Sequence, residues 1–198
     1  PAESRESGQR RIRKETGRGE RAAGGIRMGN LGKLDMDVAR YSKKSDMPRF
    51  AYYYRKAQEA KNPIECALYR LLFARAKKKN LIDLYYKTKI DGGLYIGHPY
   101  CISINGDVVI GSNCNIHKGV TIGQENRGER KGTPKLGNCV WIGVNSTIVG
   151  NITIGDDVLI APNTFVNRDI PSHSVVFGNP CIVKHKDNAT EGYLNRKI

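Results

Sequence analysis

The stretch that decides the fold runs from Leu136 to Val166, LGNCVWIGVNSTIVGNITIGDDVLIAPNTFV. Every sixth residue in it is aliphatic: Leu136, Ile142, Ile148, Ile154, Ile160 and Val166. Working outward, the same beat runs through Ile104, Ile110, Ile116 and Ile122, and before that through Ile90, Ile96 and Ile102. A period of six matches neither the turn of an amphipathic helix nor the alternation of an ordinary strand. It marks a short-repeat parallel β-helix, one short strand and one turn per repeat. Glycine often follows the aliphatic residue, as at Gly97, Gly111, Gly123, Gly137, Gly143 and Gly155, where a tight corner has little room for a side chain. Four residues after each aliphatic sits a second small or branched residue, among them Val108, Cys114, Val120, Val140, Ser146, Ile152, Val158 and Thr164. Such side chains suit a narrow pleated interior.

Two interruptions break the beat. Ile102 and Ile104 are two residues apart, which predicts one irregular turn. Ile122 and Leu136 are fourteen residues apart where two hexads would give twelve, and residues 124–134 between them are polar. That segment is expected to be a loop extruded from a coil corner, and such loops on rigid scaffolds carry binding residues.

The chain has 198 residues and a formal charge of +14, enough for one domain with an attached helical segment. Residues 1–27 carry eight basic and four acidic residues and no Leu, Val, Phe, Tyr or Trp. They could bury no core and are expected to be a disordered leader, native or vector-derived, preceding a start at Met28. Without that leader the charge is 14 − 4 = +10. A polyphosphate-bearing ligand accounts for such a surface, so nucleic acid is not expected as a partner. Five cysteines, none in CxxC spacing, indicate neither a disulfide framework nor a zinc site. No apolar run is long enough to span a bilayer, and a cytoplasmic location is expected.

Residues 46–60 and 63–79 read as two helices within a helical cap over 28–83. Asn62-Pro63-Ile64-Glu65 is a strong start signal, and Lys77-Lys78-Lys79 suits a helix C-terminus. The stripe Ile64, Leu68, Leu71, Leu72 has helical spacing, and Tyr52-Tyr53-Tyr54 is read as packing. This cap would cover the open end of the β-helix domain, 84–185; residues 186–198 read as a polar tail.

The hexad pattern resembles the hexapeptide-repeat acyltransferases, whose left-handed parallel β-helix stacks three hexads per triangular coil. The segment from Ile90 through Gly97-His98, followed by Gly119-Val120-Thr121-Ile122-Gly123, is similar to the active-site region of serine acetyltransferases. The resemblance implies acetyl-CoA as co-substrate, a homotrimer with sites between subunits, and His98 as general base, with Asp83 fifteen residues upstream orienting it. Imidazole suits that task near neutral pH. It also implies a coenzyme groove at Gly143, Val144 and Pro162, with Arg168 and Lys184 as candidates for the phosphates. His117, at a coil corner, is the rival base.

This chain departs from the family in the acceptor set. The aspartate before the catalytic histidine is Gly97 here, and the loop's Arg-His pair before Pro-Lys is Gly132-Thr133. Arg127 and Arg130 lie in the same loop, where either could take over substrate binding. The departures point to an acetyl-CoA-dependent O-acetyltransferase acting on a saccharide hydroxyl. The alternatives are a serine O-acetyltransferase and, of another class, a noncatalytic β-helix scaffold. A zinc-dependent carbonic anhydrase on the same fold would need three histidines from adjacent coils, whereas only His98 and His117 fall within the coils.

Overall fold

The structure, a computed structural model, describes residues 31–198. The expected leader 1–27, and the start at Met28, lie outside the described residues. Three α-helices come first, α1 (Lys33–Ala39), α2 (Arg49–Glu59) and α3 (Pro63–Lys79), with a short 3-10 helix (Lys44–Asp46) between the first two. Fourteen short parallel strands follow, winding about five coils of a three-sided parallel β-helix. Face one stacks β1 (Asp83–Leu84), β4 (Ser103–Ile104), β7 (Thr121–Gly123), β10 (Thr147–Val149) and β13 (Phe165–Val166). Face two stacks β2 (Lys89–Ile90), β5 (Val109–Ile110), β8 (Lys135–Leu136) and β11 (Thr153–Ile154). Face three stacks β3 (Tyr95–Gly97), β6 (Asn115–His117), β9 (Trp141–Ile142), β12 (Val158–Ile160) and β14 (Ser174–Phe177). A last strand, β15 (Ile182–His185), pairs antiparallel with β14 and ends face three.

The six-residue beat is the inner surface of this prism. Ile110, Ile116, Ile122, Ile142, Ile148, Ile154, Ile160 and Val166 are wholly buried, and so are Val108, Cys114, Val120, Val140, Ser146 and Val158 four residues after an aliphatic. The corners follow a rule of their own. Asn113, Asn145, Asp157 and Asn163, three residues past an aliphatic, hold left-handed backbone at φ between 53° and 58°, a region that Asn and Asp tolerate best after glycine. The glycine at Gly143 serves a different need: a Cβ there would stand 2.5 Å from the Pro162 nitrogen of the next coil.

Register shows where the beat breaks. Asp83 pairs with Ser103 and Tyr95 with Asn115, twenty residues apart, so the first coil holds two residues beyond eighteen. They fall in the turn 98–101, where His98 and Cys101 both have φ of 55°. The loop departs from the sequence reading. Thr121 pairs with Thr147, twenty-six residues on, so the segment between Ile122 and Leu136 is one hexad step carrying eight extra residues, not two stretched hexads. Its base closes as a small hairpin in which the Glu125 and Gly132 amides donate to each other's carbonyls at 2.9 Å.

The first coil leaves a row of backbone groups with no strand beneath them, and the helices supply partners. Arg55 of α2, fully buried, donates to the carbonyls of Ile90 and Asp91 at 2.7 Å each and to the Asp37 carboxylate of α1 at 2.7 Å. Asp37 accepts from the Leu94 amide at 2.8 Å, the Tyr41 hydroxyl from the Ile96 amide at 2.9 Å, and the Thr88 carbonyl from Tyr54. Burial raises the Tyr54 phenol to about 12. Helix α3 packs on α2 and buries only Phe73; the stripe Ile64, Leu68, Leu71 faces outward. The Asn62 side chain accepts from the Glu65 amide at its N-terminus, the start the sequence signalled.

Residues 186–198, polar in composition, fold back along the edge between faces two and three. Asp157 accepts from the amides of Ala189 and Thr190 and from the Thr190 hydroxyl, at 2.6–3.0 Å, and pairs with His173 at 2.9 Å. Burial pushes the Asp157 carboxyl up, but the hydrogen bonds from Thr190, His173 and Ala189 outweigh it and hold the group at about 2. Ala189, Thr190 and Leu194 are buried, and the segment ends with Ile198 exchanging two hydrogen bonds with Asn113.

Removing one partner of a buried ion pair strands the other, at a cost of about 3–5 kcal/mol. Arg55→Met is therefore expected to lower the unfolding free energy by about that amount, read as a shift in the urea midpoint, and adding Asp37→Leu should recover part of it. An unchanged midpoint in Arg55→Met would show that the cap does not hold the coils.

Candidate active site

The histidines meet on the edge between faces three and one. Strand β3 ends at Gly97, and His98 follows in the left-handed turn, with its side chain exposed. Strand β6 runs directly above, pairing Gly97 with His117. Burial holds the His117 imidazole below its ordinary range, against an opposing bond from Nδ1 to the Ile142 carbonyl at 3.1 Å, and charge on His98 adds to the depression. A carbonyl only accepts, so neutral His117 carries its proton on Nδ1 and leaves Nε2 as a free acceptor.

The departure at Gly97 now has a physical content. A Cβ there would stand 2.9 Å from both Cδ2 and Nε2 of His117. The space that an aspartate side chain would need is filled by an imidazole ring, itself 4.7 Å from the Trp141 ring centroid.

Three of the five expected coenzyme-binding residues share this edge. Gly143 and Val144 follow β9, and Pro162 lies on the next coil, with the Asn163 amide donating to the Val144 carbonyl at 2.9 Å. Arg168 lies on the edge between faces one and two, after β13, and Lys184 sits in β15 with its ammonium over the Phe177 ring. Arg127 and Arg130 are exposed in the 124–134 loop, also on the edge between faces one and two. Asp83 begins β1 with its amide bonded to the Ile102 carbonyl, just past the His98 turn, and no hydrogen bond joins its carboxylate to His98.

Sequence reasoning missed a cleft of about 600 Å³ beside this edge, on the outer side of face three. Its walls come from Tyr95, His117 and Trp141 of the coils, from Arg40 and Tyr41 after α1, and from Tyr193 and Arg196 of the C-terminal segment. The only sequence signals were Trp141 and Tyr193, 193 − 141 = 52 residues apart in the chain, whose ring centroids lie 5.1 Å apart. Among the described residues, no group of three or more His, Cys, Asp or Glu side chains could hold a metal ion, and no helix is long and apolar enough to cross a membrane.

Comparison with known proteins bears on the fold. The family model "Bacterial transferase hexapeptide (six repeats)" matches residues 133–168. The chain is 35% identical over 127 residues to serine acetyltransferase 2 of Arabidopsis thaliana, covering 64% of this chain and 39% of that protein. It is 35% identical over 106 residues to the serine acetyltransferase of Helicobacter pylori, 54% of this chain and 62% of the other. The crystal structure of the Neisseria gonorrhoeae serine acetyltransferase in complex with serine superposes with a TM-score of 0.59 at 25% identity, over 77% of this chain and 66% of that one. The fold is thus the left-handed β-helix of the hexapeptide-repeat transferases. Over the matched residues the chain is similar to serine acetyltransferases. It spans from about a quarter to three fifths of the length of the curated relatives it matches.

The imidazole of His117 is expected to titrate below the usual value of about 6.5, read by NMR of its ring protons. Gly97→Ala should push the ring off its seat, raise that midpoint and alter the fluorescence of Trp141. A Gly97→Ala protein with both signals unchanged would show that the ring does not rest on Gly97.

Proposed function

We propose that the protein is an acetyl-CoA-dependent O-acetyltransferase, and the stacking of His98, His117, Gly143, Val144 and Pro162 on one edge of the prism is the observation that carries it. Acetyl-CoA supplies an activated acyl thioester. The strip of half-buried Val144 and exposed Pro162, on the edge that carries two imidazoles, suits an extended thioester arm lying along the coils. His98 is the general base: it takes the acceptor hydroxyl's proton as that oxygen attacks the acetyl carbonyl, and returns it to the departing thiolate. Asp83 is the residue that would orient His98. His117, with its tautomer fixed by the Ile142 carbonyl, is the second reading for the base.

Two acceptors remain in play. The relatives are named serine acetyltransferases, which makes L-serine the better supported one. A saccharide hydroxyl is favoured by Gly97, where the His117 ring leaves no room for a carboxylate beside the acceptor, and by Gly132 and Thr133 in the loop. Placement of Arg127, Arg130 and Arg168 on another edge supports a homotrimer, because a neighbouring prism can bring that edge against the histidines where a single copy cannot. Arg168 and Lys184 stay candidates for the coenzyme phosphates. A cytoplasmic location suits this chemistry, and neither nucleic acid nor membrane insertion forms part of the reading.

Release of thiol from acetyl-CoA, followed with L-serine and with a panel of sugars, tests the reading directly. His98→Ala is expected to lower kcat by about 10²–10⁴ with acetyl-CoA binding little changed. A larger loss in His117→Ala would move the base to that residue, and no thiol release with any acceptor would favour a scaffold. Light scattering is expected to give three copies per particle.

A further inference from the structure

The cleft on face three has a chemistry of its own. Arg40 lies on its floor with a relative exposure of 2%, donating to the carbonyls of Gly93 and Asn195 and to the Asn115 side chain at 2.7–2.9 Å. Arg196 stands at the rim with one nitrogen donating to the Ser42 hydroxyl at 2.8 Å. Among the described residues neither guanidinium has a carboxylate within 4.0 Å. The acid at the rim, Asp46, is occupied by the Lys43 amide. Two guanidiniums and one carboxylate therefore line the cavity, leaving it a surplus of one positive charge (2 − 1), and arginine is the side chain best shaped to grip phosphate. The same cavity is lined by Trp141 and Tyr193, their ring centroids 5.1 Å apart, and by His117, whose Nε2 is left as an acceptor by the Nδ1 bond to Ile142.

We propose that this cleft binds the acceptor and that the acceptor is a phosphorylated sugar. The apolar face of the ring packs on Trp141 and Tyr193, a ring hydroxyl other than the reacting one donates to His117 Nε2, and the phosphate pairs with Arg196 within the positive field of Arg40. Size supports the choice: about 600 Å³ is the volume of a ligand site for a ring-bearing molecule, and a free amino acid would fill little of it. Aromatic walls with a few convergent polar groups are what such ligands require. The inference rests on the acyltransferase reading for the fate of the bound hydroxyl, but its test reads binding alone.

Trp141 is the sole tryptophan of the chain, so its fluorescence reports the cleft directly. The full chain is titrated with glucose 1-phosphate, methyl glucoside, inorganic phosphate and L-serine. A saturable change with glucose 1-phosphate is expected, with binding at least about tenfold weaker for the two fragments, since each lacks half of the contacts. Arg196→Gln should weaken glucose 1-phosphate about tenfold and leave methyl glucoside unchanged; Tyr193→Ala should weaken both sugars. Circular dichroism and melting show that each variant is folded. No saturable change with glucose 1-phosphate overturns the proposal, as does equally tight binding of inorganic phosphate, or an Arg196→Gln effect that is the same for charged and neutral sugars. Tighter binding of L-serine overturns it too, while leaving acyl transfer intact. Binding as expected without thiol release would instead count against the acyltransferase reading.

Discussion

A parallel β-helix has no natural end, because its last coil always presents a row of amides and carbonyls to whatever lies beyond. The buried contact between Arg55 and Asp37 is how this chain closes one of them. A guanidinium offers five donors in a fixed plane, and Arg55 uses them to satisfy two carbonyls of the first coil and one carboxylate at once. Asp37 in turn accepts from the amide of Leu94. Burying a charge in such a place is costly unless every polar atom finds a partner. Here α1, α2 and the first coil each supply one, so the helices are tied to the coils through a single buried network. The far end uses the cheaper device of an antiparallel turn, β14 to β15, which ends the parallel pairing of face three.

With both ends held, the coils can be nearly uniform, and that uniformity is why so much could be read from the sequence. Each aliphatic residue of the beat projects into the same narrow interior, so a single period specifies strands, faces and core together. The helices α2 and α3 were legible through a proline and capping side chain at Asn62-Pro63 and through runs of suitable composition. Helix α1 was not. It is seven residues long, and its key side chains, Asp37 and the nearby Arg40, look like ordinary surface charges until the coil edge is placed against them. The loop count failed for a related reason. Spacing alone cannot tell two stretched hexads from one hexad with an insertion; only the pairing of Thr121 with Thr147 decides it.

The site was legible in part. His98 was singled out by a family resemblance that includes its distance from Val120-Thr121-Ile122-Gly123, and His117 by its place at a corner. Their neighbourhood could not, because it depends on contacts twenty residues apart in the chain and one strand apart in space. The meaning of Gly97 likewise emerged only when the ring above it was seen. The C-terminal segment was the most misleading stretch. Its composition is polar, yet Ala189 and Thr190 are buried under the hydrogen bonds of Asp157, and Tyr193 reaches Trp141. Short buried residues scattered among charges leave no periodic trace.

That returning segment also imposes an order on synthesis. The coils stack on their predecessors and can form as they leave the ribosome, each with its template already in place. The wall that Tyr193 and Arg196 give to the cleft is made after all five coils, and it lies against residues from the first three. A nascent chain can thus own a complete scaffold while its cleft is still open on one side. Lengthening or trimming the segment would reshape the cavity without touching the register of a single strand, which leaves ligand preference free to vary over a scaffold that stays the same.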